Sequence, residues 1–140
     1  MAIIRRFEDI EAWRKARDLT KVVYGLTNDG ALARDFALKD QMRRAAISVM
    51  ANIAEGFERD GNKEFLQFLA VAKGSRGELR SHLTVASDQH YMTRTQYESC
   101  YGKAVEVSRM VSGLMRHLRS SQMRGEKYRK PLAPSGDSEA

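Results

Sequence analysis

The chain has 140 residues, 42% hydrophobic and 30% charged, with a formal charge of +6, a make-up that fits one globular domain. No run of about 18 uncharged apolar residues occurs, which excludes a transmembrane helix, and MAIIRRFEDI lacks the apolar segment of a signal peptide, so the expected compartment is the cytoplasm. The single cysteine, Cys100, excludes an internal disulfide and a cysteine-rich zinc site.

From about Phe7 to Leu26 the chain reads as a first helix, with Ala16, Leu19, Val23 and Leu26 on one face and Ile10, Trp13, Arg17 and Thr20 beside them. Trp13, the only tryptophan, reads as a packing anchor. Thr27 to Phe36, with Asn28-Asp29-Gly30, carries turn chemistry and is expected to be a mobile loop.

Leu38, Met42, Ala45, Val49 and Ile53 then recur at spacings of three and four, the stripe of a second helix. Gly56 stands where such a helix would stop with a left-handed residue. Beside the stripe run Gln41, Arg44, Ser48, Asn52 and Glu55, and on the far side Ile47, Met50 and Ala54. A helix with two apolar strips must cover the second one. The expected cover is a neighbouring subunit at Ile47, Met50 and Ala54, the alternative being a helix wholly wrapped by its own chain.

Glu58 to Lys63 is a polar connection, in which Asp60 or Asn62 can cap the next helix. The third helix shows Phe65, Leu69, Ala72, Leu79, Leu83 and Ala86 as its stripe, antiparallel to the second as a hairpin. Gly74 and Gly77 each cost on the order of 1 kcal/mol in a helix interior. Small residues permit close approach, so Gly74 and Ser75 are expected to mark a close crossing of another helix. Gly74-Ser75-Arg76-Gly77 has the form of a nucleic-acid-clamping GxxG, but that clamp belongs in a loop opening between helices. Thr93-x-x-Gln96 and Thr95-x-x-Glu98 are capping-box patterns that start a fourth helix, whose buried face is traced by Tyr97, Ala104, Val107, Val111, Leu114 and Leu118. Cys100 shares that spacing and reads as a small core residue. The expected fold is therefore an all-α, antiparallel up-down-up-down four-helix bundle over residues 1–121. Residues 122–140 form a tail, basic at first and then containing Pro131, Pro134, Ser135 and Gly136, expected to be disordered.

The charge is concentrated at that end. From Arg116 to Lys130 the chain holds Arg116, Arg119, Arg124, Lys127, Arg129 and Lys130 against Glu126 alone, a net +5 of the chain's +6. These six cations are the expected phosphate contacts if nucleic acid is bound, with only Tyr128 among them for base stacking. On this reading the bundle itself lacks a basic helix face.

No catalytic constellation is evident, and no cofactor or metal is expected. His82, His90 and His117 have no partner at metal-ligand spacing. Glu55 and Glu78, with Arg44 and Asn52, could flank a metal, but di-iron bundles need Glu-x-x-His pairs that are not present. The preferred reading is a polar network of Gln41, Arg44, Ser48, Asn52, Glu55 and Glu78 that fixes register among subunits.

Asp40-Gln41-x-Arg43-Arg44-Ala45, Ser48 and Asn52-Ile53-Ala54-Glu55-Gly56-Phe57-x-Arg59 resemble the signature of the bacterial four-helix-bundle proteins found as reading frames in intervening sequences of large-subunit ribosomal RNA genes. Glu64-Phe65, Phe68, Gly74-Ser75 and Glu78 extend the match, as do Phe7, Asp9, Ile10 and Trp13, with a weaker echo at Ser108, Arg109 and Gly113. The resemblance implies a homopentamer of four-helix subunits, distantly similar to the accessory protein of diversity-generating retroelements, which binds a reverse transcriptase and nucleic acid. It does not bring a settled biochemical activity. One departure is Met50, where the family usually has proline, so this helix is expected to run without that kink.

Two classes of function remain. One is a non-enzymatic oligomer that binds RNA or DNA electrostatically. The other is a scaffold that docks a partner protein while its basic tail serves solubility.

Overall fold

A computed structural model describes residues 4–123. They form a 3₁₀ turn at Phe7–Asp9 and five α-helices: α1 Glu11–Thr27, α2 Gly30–Arg34, α3 Phe36–Glu58, α4 Asn62–Asp88 and α5 Arg94–Met123. Among the described residues there is no strand. None of the helices is long and apolar enough to cross a membrane. Arg124, Lys127, Arg129 and Lys130 lie outside the described residues, and α5 runs two residues past the expected end of the bundle at 121.

The four long helices pack in a ring, α1 against α3 and α5, and α4 against α3 and α5. Contacts between neighbours run in opposite sequence directions. Thr20 Oγ1 donates to the Ala46 carbonyl (3.3 Å) and Arg43 Nε donates to Thr27 Oγ1 (2.8 Å), so α1 and α3 are antiparallel. Asn62 meets Leu118 and Arg76 meets Ser108, so α4 and α5 are too. The apolar stripes close on one core, in which Leu19, Val23, Met42, Val49, Ile53, Leu69, Leu79, Leu83, Val107, Val111 and Leu118 are fully buried. Each such side chain contributes about 1.5–3 kcal/mol on burial.

The fifth helix is the first difference from the expected bundle. Thr27 to Phe36 is not an open loop. Gly30, at φ +67°, turns the chain into α2, and Leu32 is 1% exposed, anchoring the segment in the core. Arg43 pins the end of α1 through Thr27 and through Asn28 Oδ1 (2.8 Å), and stacks 4.3 Å over Tyr24. Asp35 then opens α3: its Oδ1 accepts from the Leu38 amide (3.1 Å), and its Oδ2 accepts from the Tyr91 hydroxyl (3.0 Å).

The hairpin differs in its glycine. α3 runs without interruption through Met50 and past Gly56 to Glu58. Gly56 is thus no left-handed stop. It lets α4 come close, since a β-carbon there would lie 2.7 Å from Cβ of Phe68. The left-handed residue is Gly61, at φ +90°. Neither Asp60 nor Asn62 caps α4; the Asn62 side chain donates to the Leu118 carbonyl on α5 instead (3.2 Å). Of the expected crossing at Gly74 and Ser75, Ser75 is buried and shares a 2.8 Å hydrogen bond with Ser48 of α3, whereas a β-carbon on Gly74, or on Gly77, would meet nothing within 4 Å. Thr93 and Gln96 do form the capping box: the Gln96 amide donates to Thr93 Oγ1 (3.1 Å) and the Thr93 amide to Gln96 Oε1 (2.9 Å).

Candidate nucleic-acid interface

The α4–α5 seam carries cations on its outer flank. Lys73, Arg76 and Arg80 stand at i, i+3 and i+7 on α4, hence on one side of that helix. On α5, Ser108, Ser112, Arg116 and Arg119 follow one another in steps of four and three. The two rows meet where Arg76 Nη2 donates to Ser108 Oγ at 3.0 Å and where the Arg80 guanidinium lies 5.4 Å over the Tyr101 ring. Tyr101 is in turn in tilted contact with Tyr97, 5.7 Å between centroids. Arg116 and Arg119 are exposed, as is Arg109 beside Ser108.

Among the described residues, no carboxylate pairs with Lys73, Arg76, Arg80, Arg109, Arg116 or Arg119. Elsewhere Arg6 pairs with Glu8 (3.6 Å), Arg14 with Glu11 (2.8 Å), Arg44 with Asp40 (2.7 Å), Arg59 with Glu55 (3.1 Å) and Arg94 with Glu98 (3.1 Å). The nearby acid of α5, Glu106, pairs instead with Lys15 of α1 (3.5 Å). Arg76 is half-buried, and its Nε is shut from solvent without a hydrogen-bond partner. Burial first, then repulsion from Arg80, lowers its pKa below the ordinary guanidinium value. The flank is thus an unneutralised cationic strip.

This strip corrects the sequence reading that the bundle lacks a basic helix face. The spacing of Lys73, Arg76 and Arg80 was readable. What hid it was counting charge along the chain, because Glu78 stands two residues from Arg76 yet about 200° round the helix.

The polar residues of α3 and α4 separate into two groups. Ser48 and Ser75 share a hydrogen bond of 2.8 Å, and Asn52 Nδ2 donates to the Ser48 carbonyl (2.8 Å) and Oγ (3.0 Å). Arg44, Glu55 and Glu78 do not join this cluster. Their partners are on their own helices, Asp40, Arg59 and His82, the last at 3.5 Å from Glu78 Oε2 to a buried Nε2 that has no hydrogen bond. Gln41 is exposed. Among the described residues no group of three His, Cys, Asp or Glu could hold a metal.

Of the strip expected between subunits, Ile47 is 43% exposed and Ala54 half-buried. Met50 is engaged within the chain, packed on the core with its sulfur 3.4 Å from Thr20 Oγ1. Sequence reasoning did not single out the other exposed apolar side chains, Phe36, Val71 and Val85.

The described residues thus form a small all-helical protein with a cationic flank. The chain belongs to the 23S rRNA-intervening sequence protein family, whose pattern matches residues 8–113. Its fold is similar to that of a protein of unknown function from the S23 ribosomal protein family of Bacteroides thetaiotaomicron, with a TM-score of 0.69 and 21% identity over 75% of this chain and 98% of that one. No protein with a curated description matches the chain.

Proposed function

We propose that this protein is a non-enzymatic, oligomeric four-helix bundle of up-down-up-down topology that binds RNA through phosphate contacts in the cytoplasm. The single observation that carries this reading is the α4–α5 flank, where Lys73, Arg76, Arg80, Arg116 and Arg119 lack carboxylate partners among the described residues. The family's association with intervening sequences of 23S rRNA favours RNA as the polyanion. Arg124, Lys127, Arg129 and Lys130 follow α5 in sequence and add to the same charge. Contacts of this kind position a backbone and read little sequence, so selectivity among RNA sequences is low. In an oligomer, repeated flanks multiply a weak attraction, and the pentamer is the assembly that the family resemblance suggests.

The test is RNA binding by the full chain at 50 and 200 mM salt, beside a variant with the four tail cations replaced by Gln. Binding that falls with salt and survives in part without the tail charges supports the reading. Absence of binding at the lower salt rejects it. A second reading, a scaffold for a partner protein, is favoured by the exposure of Phe36, Ile47, Val71 and Val85. It takes over if no nucleic acid binds.

A further inference from the structure

We infer that Arg76, Arg80 and Ser108, with Gly77 as an open floor, form a discrete phosphate-binding site on the α4–α5 flank, whose ligand is a phosphodiester of the RNA backbone. The inference rests on the RNA reading for its ligand, but its geometry stands apart from the tail.

Arg76 is held in a defined place. Its Nη2 is fixed by Ser108 at 3.0 Å, which leaves other guanidinium donors for an anion. Its Nε is shut from solvent and unpartnered, so an anion reaches this guanidinium through its Nη donors. Among the described residues those Nη donors meet no acid or backbone carbonyl, whereas Arg14 donates from Nη2 to Glu11 and from Nη1 to the Glu8 carbonyl. Arg80, one turn on, is oriented by the Tyr101 ring face at 5.4 Å, and stacking leaves the edge donors of a guanidinium available. Two arginines placed side by side with no acid between them repel each other. An anion held by both removes that repulsion.

Gly77 gives a second, independent observation. It lies four residues after Lys73 and three before Arg80, on the same flank, and a β-carbon there would meet nothing within 4 Å. Packing within the chain therefore explains a glycine neither here nor at Gly74 of the same 27-residue helix; what distinguishes Gly77 is its place among the cations. Bare backbone between three cations does admit a sugar–phosphate at close range. The Gly74-Ser75-Arg76-Gly77 tetrad acts here from a helix interior, through its last two residues, and not as a loop.

Three proteins serve as the test: wild type, Arg76→Met, which keeps the apolar stem while removing the charge, and Gly77→Leu, which removes no charge. Binding of a fluorescein-labelled single-stranded RNA at 50 mM salt is read by anisotropy, and inorganic phosphate is titrated while the Arg76 Nε–H resonance is followed. The expected result is RNA binding weakened about ten- to a hundredfold in Arg76→Met. Gly77→Leu should also bind more weakly, and Arg76→Met should have a thermal midpoint equal to or above that of wild type. A destabilised Arg76→Met that binds RNA normally makes Arg76 structural and overturns the site. If wild type and both variants bind RNA equally, the site fails while the RNA reading survives through other cations. If wild type binds no RNA but phosphate moves the Arg76 resonance, the anion site stands and the RNA reading fails. If neither occurs, both fall.

Discussion

Gly56 and Phe68 approach each other more closely than any side chain at position 56 allows, for a β-carbon there would sit 2.7 Å from Cβ of Phe68 and 2.9 Å from Cδ1 of Phe65. Two effects oppose each other in Gly56→Ala. Helix propensity favours alanine by on the order of 1 kcal/mol. Overpacking against atoms fixed to the α4 backbone costs about 1–3 kcal/mol, and it wins. Urea denaturation should show Gly56→Ala destabilised and Gly77→Ala, where the space is open, stabilised by up to about 1 kcal/mol. A Gly56→Ala protein as stable as wild type would mean that α3 and α4 are not in this contact.

The capping box at Thr93 and Gln96 satisfies two amides at the start of α5. Thr93→Ala should lower stability by about 0.5–2 kcal/mol, and Thr93→Ser should restore most of it. Equal loss in Ala and Ser variants would show that the hydroxyl is not the acting group.

Burial pushes the Cys100 thiol up from 9.0 to about 11. The raised value means that the folded state disfavours the thiolate. Its contribution is fully present below pH 9 and is lost as pH rises through about 11, because the unfolded chain ionises first. Between these limits the stability of wild type should fall more steeply with pH than that of Cys100→Ala, measured by denaturation at fixed temperature. Parallel curves would place the thiol in solvent.

Ile47 and Val71, 43% and 52% exposed, are the side chains that an assembly would cover. Ile47→Arg or Val71→Arg should reduce the mass seen by light scattering toward the 15.9 kDa of one chain while leaving helicity unchanged, since a single chain already exposes these positions. A wild-type mass of one chain at micromolar concentration would contradict assembly altogether.

The helices were legible because burial follows their period: Leu38, Met42, Ala45, Val49 and Ile53, then Phe65, Leu69, Ala72, Leu79, Leu83 and Ala86, are all buried. α2 was not legible. Five residues are too few to show a period, and Asn28-Asp29-Gly30 reads as a turn whether or not a helical turn follows it. Gly56 shows a different limit, since a glycine that ends a helix and one that admits a neighbouring helix look alike in one sequence. The cationic flank needed the pairing of α4 with α5. Lys73, Arg76 and Arg80 alone are three charges diluted by Glu64 and Glu78; beside Arg116 and Arg119 they become a strip. The Ser48–Asn52–Ser75 cluster followed from polar spacing, whereas the partners of Arg44, Glu55 and Glu78 did not, because exposed charges pair one turn along their own helices.

The most direct test of RNA binding by the α4–α5 flank is the salt dependence of affinity for a single-stranded RNA, compared between the full chain and a Lys73→Gln, Arg76→Gln, Arg80→Gln variant. Each phosphate neutralised on a single strand contributes about −0.7 to the log–log slope, so losing three contacts should flatten it by about 2 per flank engaged. The account predicts weaker binding with that flatter slope at unchanged helicity. Equal slopes for the two proteins, or no binding by the full chain at 50 mM salt, would contradict it.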